Sequence, residues 1–304
     1  MPTSSGKRGR ISRLIHPSYG RATILALDHG LTLGRVPGLE RIGQRLQGIG
    51  RDALDAVVVH QGMVERLLPL FESAHRPGLI VHLSGATRLS PEANEKRLVC
   101  TVEHALKLGA DGVSVHANLG AKTENQMLAD LALVSQACHE WGVPLLAMMY
   151  PRPDAQASAI DPEHVGHAIR IAMELGVDLV KVPFTGTCES FARVLEDVDV
   201  PVLVAGGARL ETEEAILRFV DEVLQAGAAG VTFGRNIFQS ANPVRLARAV
   251  TTMVHHRMSL EDALAVLGDE RAISEARAIG LPREEVTSTF PTALGMAASR
   301  GYSR

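Results

Sequence analysis

Eight short β-rich runs recur along the chain, at residues 22–27, 56–60, 79–83, 112–116, 144–149, 178–182, 201–205 and 230–233. Their starts lie 23 to 34 residues apart, so every interval has room for one helix and two short loops. Runs such as Val57-Val58-Val59 and Val202-Leu203-Val204 are apolar without alternation, as in a parallel sheet covered by helices on both faces. Several intervals end in a glycine just ahead of the next run, at Gly109, Gly142, Gly176 and Gly227, where a helix can close in the left-handed conformation. A doubly wound sheet would carry fewer strands and a dinucleotide fingerprint after the first, and no G-x-G-x-x-G follows Leu27. The expectation is an α/β fold, a (β/α)8 TIM barrel, which takes about 250 residues as one domain and fits a chain of 304.

The barrel is assigned to residues 17–258, with an N-terminal arm over 1–16 and a helical extension with a loose tail over 259–304. Helices are expected at 243–256, 259–267 and 272–279, and the end from Pro282 is poor in large apolar residues. The arm carries Lys7, Arg8, Arg10 and Arg13 and no acid; it lacks the apolar core of a secretion signal and reads as a solvated basic arm. With 31 basic and 34 acidic residues the net charge is −3, which gives no bulk attraction to nucleic acid or an anionic membrane. The longest apolar run, Val143 to Met149, is strand-sized, so no membrane partner is expected. Cys100, Cys138 and Cys188 are odd in number, far apart and without C-x-x-C spacing, which suits a reducing cytoplasm better than a disulfide framework.

In such a barrel the chemistry gathers at the carboxyl ends of the strands. Here those ends are polar: Asp28 and His29 end the first run, His60 the second, Ser84 and Gly85 follow the third, and His116 and Tyr150 end the fourth and fifth. Lys181 interrupts Leu179-Val180-Lys181-Val182, and period-two alternation turns it away from both valines. If the valines face the helices, the ammonium points into the barrel, either paired or with a lowered pKa, and a neutral amine there can attack a carbonyl to form a Schiff base. A structural lysine tied to a carboxylate is the alternative. Tyr150 shares a face with Met148 and should stand near Lys181 as a proton donor, or simply as an amphipathic rim residue. Asp28 can hold a substrate hydroxyl or relay its proton, or cap the following turn. Gly206-Gly207 and Gly234-Arg235 follow the seventh and eighth runs, where glycine turns, a short helix and an arginine make the usual barrel phosphate site.

His60, His82 and His116 come from successive strands and invite a metal reading, but no H-x-H or H-x-x-x-H spacing joins two of them, and hydrogen-bonded histidines are the preferred reading. Ser84 lacks a nucleophile elbow.

Six ordered motifs then carry a family resemblance: Ala26-Leu27-Asp28-His29-Gly30, Val113-Ser114-Val115-His116, Ala147-Met148-Met149-Tyr150-Pro151-Arg152, Val180-Lys181-Val182-Pro183-Phe184-Thr185-Gly186, Val204-Ala205-Gly206-Gly207 and Gly234-Arg235-Asn236-Ile237-Phe238-Gln239. From about Arg13 to His256 the chain resembles the archaeal-type class I aldolases, which include fructose-bisphosphate aldolase, the heptulosonate synthases and a phospho-sugar thiolase. The resemblance implies a homo-oligomeric enzyme with no metal and no other cofactor, acting on a phosphorylated ketose and a small aldehyde. It implies Lys181 as the Schiff-base lysine, Tyr150 as general acid and base, and Asp28 as the orienting carboxylate. Gly206, Gly207, Gly234 and Arg235 would bind phosphate, with His29, His116 and Arg152 among the substrate contacts. Met148 stands where fructose-bisphosphate aldolases of this type tend to have tryptophan, which leans toward the heptulosonate synthases, and Tyr150 argues against the thiolase. Pro153 and Phe184 depart from the family pattern and are expected to border the substrate pocket, where they would affect the choice of acceptor. Aspartate semialdehyde and glyceraldehyde 3-phosphate are the leading acceptors; a non-catalytic phospho-sugar-binding protein is the contrasting reading.

Overall fold

The structure, a computed structural model, describes residues 5–152 and 160–268. Eight parallel strands close into a barrel in sequence order: β1 (Ala22–Ala26), β2 (Ala56–Val59), β3 (Gly78–His82), β4 (Gly112–Leu119), β5 (Leu145–Pro151), β6 (Leu179–Val182), β7 (Val202–Ala205) and β8 (Gly230–Phe233), with β8 pairing β1. Alternation divides the core in two. Ala22, Ile24, Ala56, Val58, Ile80, Leu146, Met148, Leu179 and Leu203 fill the barrel, while Val57, Val59, Val180, Val182 and Val204 pack outward beneath the helices.

The expected strands match the observed ones to within a few residues, except that β4 and β5 run on together to Leu119 and Pro151. His116 therefore stands inside β4 rather than at its end. The expected single helix per interval fails in the first two. The β1–β2 connection holds only one-turn helices, His29–Leu33 and Ile42–Arg45, and β2–β3 is similarly broken into Gln61–Val64, a 3₁₀ turn and Leu68–Phe71. Gly34, at φ 77°, ends the first of these pieces, and Pro69 cannot supply the N–H that a continuous helix would need there. Later intervals carry full helices, including Glu124–Trp141, which closes on Gly142 at φ 61°. The helices expected at 243–256 and 259–267 appear as Pro243–His256 and Leu260–Gly268; the one expected at 272–279, the tail from Pro282 and Pro153 lie outside the described residues. No helix among the described residues is long and apolar enough to cross a membrane.

The solvated arm is corrected. Ser5–Leu14 is a helix, and Leu14 and Ile15 plug the amino end of the barrel, with Leu14 lying against the Cα positions of Gly78 and Gly112. Two of its charges are tied to the barrel: Lys7 Nζ pairs with Asp178 at 2.8 Å and Arg13 Nε with Asp111 at 2.6 Å. These carboxylates belong to a repeated device. Asp55, Asp111 and Asp178, each one residue before β2, β4 or β6, accept the backbone N–H of Thr23, Leu79 and Leu145 at 2.8, 2.9 and 2.8 Å. Each Asp thereby ties the start of one strand to the start of the next; before β8 the equivalent residue is Ala229. Asp111 also holds Arg76 at 2.6 Å. Removing it strands a buried N–H and two guanidinium groups, so Asp111→Ala should lower unfolding stability by about 3 kcal/mol. Urea denaturation checks this, and an unchanged midpoint would show the tie to be idle.

Candidate active site

The inward phase of each strand, followed to its carboxyl end, brings Asp28, His60, His82, Ser114, His116, Asn118, Tyr150 and Lys181 to one mouth. Lys181 lies in register with Met148 of β5 and Leu203 of β7, and its side chain continues the barrel-facing column above Leu179. The lysine is 7% exposed, and among the described residues nothing lies within hydrogen-bond or ion-pair distance of its Nζ. A structural lysine clamped by a carboxylate would show such a partner.

Tyr150 stands one inward position beyond Met148 and stacks on His116, ring centroids 4.8 Å apart and planes 18° apart. Asp28 is flanked by His29 Nδ1 and His82 Nε2, each 3.8 Å from a carboxylate oxygen. Burial alone would push the Asp28 carboxyl up, but His82, His29, Lys181 and His60 around it hold it well below the usual carboxylate range. The mouth therefore keeps an ionised carboxylate close to Lys181 at neutral pH.

Of the three strand histidines, His82 and His116 are hydrogen-bonded to protein side chains. His82 Nδ1 meets Ser114 Oγ at 2.8 Å, and His116 Nε2 meets Asn118 Oδ1 at 3.0 Å. Asn118 Nδ2 donates to Asn94 O, which orients the amide and makes His116 Nε2 the donor. Burial pushes His82 down to about 4 and His116 down to about 3. Unfolding returns both toward about 6.5, so below that pH the unfolded chain binds more protons and stability falls as the pH drops toward the folded values. The low Asp28 carboxyl acts in the same sense at still lower pH. Urea midpoints should decline from pH 7 to pH 5, less so in His116→Gln; a wild-type midpoint that holds or rises over that interval would contradict the burial of neutral histidines.

Opposite this group, the loops after β7 and β8 form one unit. Asn236 Nδ2 donates to Gly206 O at 2.8 Å, its Oδ1 accepts Leu210 N–H at 2.8 Å, and an Arg235 guanidinium nitrogen donates to Gly207 O at 3.3 Å. A Cβ at Gly206 would run into the Phe233 ring, and one at Gly234 into the His29 ring. Only glycine lets both turns approach this closely. His29 Nδ1, His60 Nδ1, Thr232 Oγ1 and Arg235 Nε are buried at this end without a hydrogen-bond partner among the described residues. Such groups are tolerated where a ligand satisfies them.

The mouth thus gathers Lys181, Tyr150, Asp28, His29, His116, Gly206, Gly207, Gly234 and Arg235. Arg152 is exposed at the rim, where its Nε donates to Asn118 Oδ1 at 3.1 Å and its guanidinium carbon lies 5.6 Å from the Tyr150 ring centroid. Phe184 is a correction: it turns outward and packs on Phe191 and Phe219, with centroids 5.4 and 5.5 Å away, so it does not border the pocket. Ser84 Oγ accepts the His116 backbone N–H at 3.1 Å, a structural tie. Sequence reasoning missed Lys96, Asn118 and Asn236. Extending the alternation Ser114, His116, Asn118 would have found the second; Lys96, in a polar connection, carries no such signal.

The family model for DeoC/LacD family aldolases matches residues 22–240, the whole of the barrel from β1 to β8. The chain belongs to the DeoC/LacD aldolase family. This family member is 42% identical over 264 residues to 2-amino-3,7-dideoxy-D-threo-hept-6-ulosonate synthase 1 of Archaeoglobus fulgidus, covering 87% of this chain and 96% of that protein. It is 41% identical over 247 residues to 2-amino-4,5-dihydroxy-6-oxo-7-(phosphonooxy)heptanoate synthase of Streptomyces griseus, covering 81% and 89%. An archaeal fructose-1,6-bisphosphate aldolase, solved with its catalytic lysine covalently bound to the carbinolamine intermediate, superposes with a TM-score of 0.72 at 32% identity over 82% of this chain and 99% of that one.

Proposed function

We propose that this aldolase condenses a phosphorylated ketone donor with an aldehyde through an imine on Lys181, in the manner of the heptulosonate synthases. The observation that carries the reading is the Lys181 amine, facing into the barrel without a protein partner among the described residues. Tyr150 stands on the neighbouring strand on one side, and the two glycine turns follow the next two strands on the other. The deprotonated amine attacks the donor ketone; the carbinolamine loses water to give an iminium, which withdraws electrons from the adjacent carbon. Loss of a proton there gives the enamine, whose carbon attacks the aldehyde, and hydrolysis of the product imine regenerates the amine. Tyr150 moves the protons of dehydration and carbon–carbon bond formation. Asp28, with His29 beside it, orients the reacting hydroxyl. Gly206, Gly207, Gly234 and Arg235 hold the phosphate, so that its binding energy aligns the donor carbon, and His116 and Arg152 contact substrate.

The substrate class follows from the relatives. A seven-carbon amino acid with hydroxyls at carbons 4 and 5, a ketone at 6 and a phosphate at 7, as in the Streptomyces product name, divides at the C4–C5 bond into dihydroxyacetone phosphate and aspartate semialdehyde. The superposition on a fructose-1,6-bisphosphate aldolase favours glyceraldehyde 3-phosphate as a second acceptor. We further assign residues 17–258 as the catalytic unit of a homo-oligomer in the cytoplasm, with which the free Cys100, Cys138 and Cys188 agree.

Incubation of dihydroxyacetone phosphate with each aldehyde, followed by mass spectrometry of the products, tests the reading. The expected result is the seven-carbon amino-acid phosphate, formed equally well after EDTA treatment. Reversible donor binding without a new carbon–carbon bond from either aldehyde would instead favour a phospho-sugar-binding protein.

A further inference from the structure

Lys96 belongs to none of the groups assigned above. It precedes the short Arg97–Leu98 strand that pairs with Ser84–Gly85 in the β3–β4 connection, and it is only 9% exposed. Its Nζ donates to Thr32 Oγ1 at 3.3 Å, and among the described residues no carboxylate lies within ion-pair distance of it. Thr32 sits one turn past Asp28, so the ammonium reaches over the mouth from the β3–β4 side toward β1. A buried cation whose protein partner is a single hydroxyl contributes poorly to folding; an apolar side chain of the same length would do better.

A second cation is linked to the same place. Arg152 Nε and His116 Nε2 both donate to Asn118 Oδ1, and Asn118 Nδ2 donates to Asn94 O, two residues before Lys96. In the closed ring β3 stands across from β7 and β4 across from β8. Asn118 on β4, which holds Arg152, therefore lies across the mouth from the Gly234–Arg235 turn, and Lys96 enters from the neighbouring β3–β4 connection, with Tyr150 and Lys181 on β5 and β6 between β4 and β7. A donor anchored by its phosphate at β7 and β8, with its carbonyl on Lys181, leaves the β3–β4 side to the far end of the acceptor.

We propose that Lys96, aided by Arg152, is the specificity determinant for the acceptor, binding an anionic group, carboxylate or phosphate, at the end remote from the aldehyde. This inference rests on the aldolase reading. The test is steady-state kinetics at saturating dihydroxyacetone phosphate with three acceptors, aspartate semialdehyde, glyceraldehyde 3-phosphate and uncharged glyceraldehyde, for the wild type, Lys96→Met, Lys96→Arg and Arg152→Gln. Lys96→Met is expected to lose at least about tenfold in kcat/KM for an anionic acceptor relative to glyceraldehyde, mainly through KM. Lys96→Arg should restore most of that ratio, and Arg152→Gln, at an exposed side chain, should move it in the same direction as Lys96→Met. The anion that suffers more identifies the group bound. Each ratio is taken within one variant, so a general loss of folding or of imine formation cancels. Ratios unchanged in both Lys96→Met and Arg152→Gln, or equal losses on all three acceptors, would overturn the assignment. Failure of the wild type to form any borohydride-trappable adduct would remove the aldolase reading itself and this inference with it, so the two failures are distinguishable.

Discussion

Lys181→Met should abolish turnover, by on the order of 10⁴-fold or more, which at about 1.4 kcal/mol per factor of ten is ~5–6 kcal/mol of barrier. The same substitution should leave the fold about as stable as before, the apolar side chain offsetting the lost attraction to Asp28. Methionine is close to lysine in length, its neighbours in the barrel include Met148, Leu179 and Leu203, and no protein bond to the ammonium is lost among the described residues. Lost activity with stability retained separates a nucleophile from a structural lysine, since loss of a structural lysine would lower both. Lys181→Arg adds a second distinction: the cation beside Asp28 is kept, but a guanidinium does not form an imine at neutral pH. The arginine variant should therefore be as inactive as the methionine variant. Substantial activity in it would reduce Lys181 to a source of positive charge.

Tyr150→Phe should lower kcat by about 10²- to 10⁴-fold while leaving donor affinity within a few-fold of wild type. The ring that stacks on His116 is retained, so the position of the imidazole and the hydrogen bond from His116 to Asn118 should survive. What is lost is the hydroxyl alone. Because nucleophilic attack belongs to Lys181 and proton movement to Tyr150, the phenylalanine variant should still yield a reduced adduct with borohydride, accumulated more slowly. Near wild-type kcat would return Tyr150 to an amphipathic rim residue, and the proton would then have to travel through Asp28 or His29.

Most of the barrel was legible because its strands obey one rule at a time. Val57-Val58-Val59 and Val202-Leu203-Val204 are apolar on both faces, and the single violation in Leu179-Val180-Lys181-Val182 turned the lysine away from both valines, which means inward once those valines pack beneath the helices. The glycine turns were legible for a related reason, since two close approaches at Gly206 and Gly234 exclude a Cβ. What escaped depends on partners distant in sequence. Nothing local in Lys7 or Arg13 announces the carboxylates Asp178 and Asp111 that dock the N-terminal helix, and composition alone made that helix a solvated arm. Phe184 stands two residues past the end of β6, yet its direction is set by Phe191 and Phe219 on the helices outside. Lys96 lies in a polar stretch indistinguishable from any solvated loop until the β3–β4 connection folds back over the mouth.

The most direct test of the central claim is borohydride reduction of the protein in the presence of dihydroxyacetone phosphate, followed by peptide mapping by mass spectrometry. The expected result is one stable adduct on Lys181, formed equally in EDTA and absent from Lys181→Met. An adduct on Lys96 or another lysine instead, or none under conditions where the wild type turns over, would contradict it.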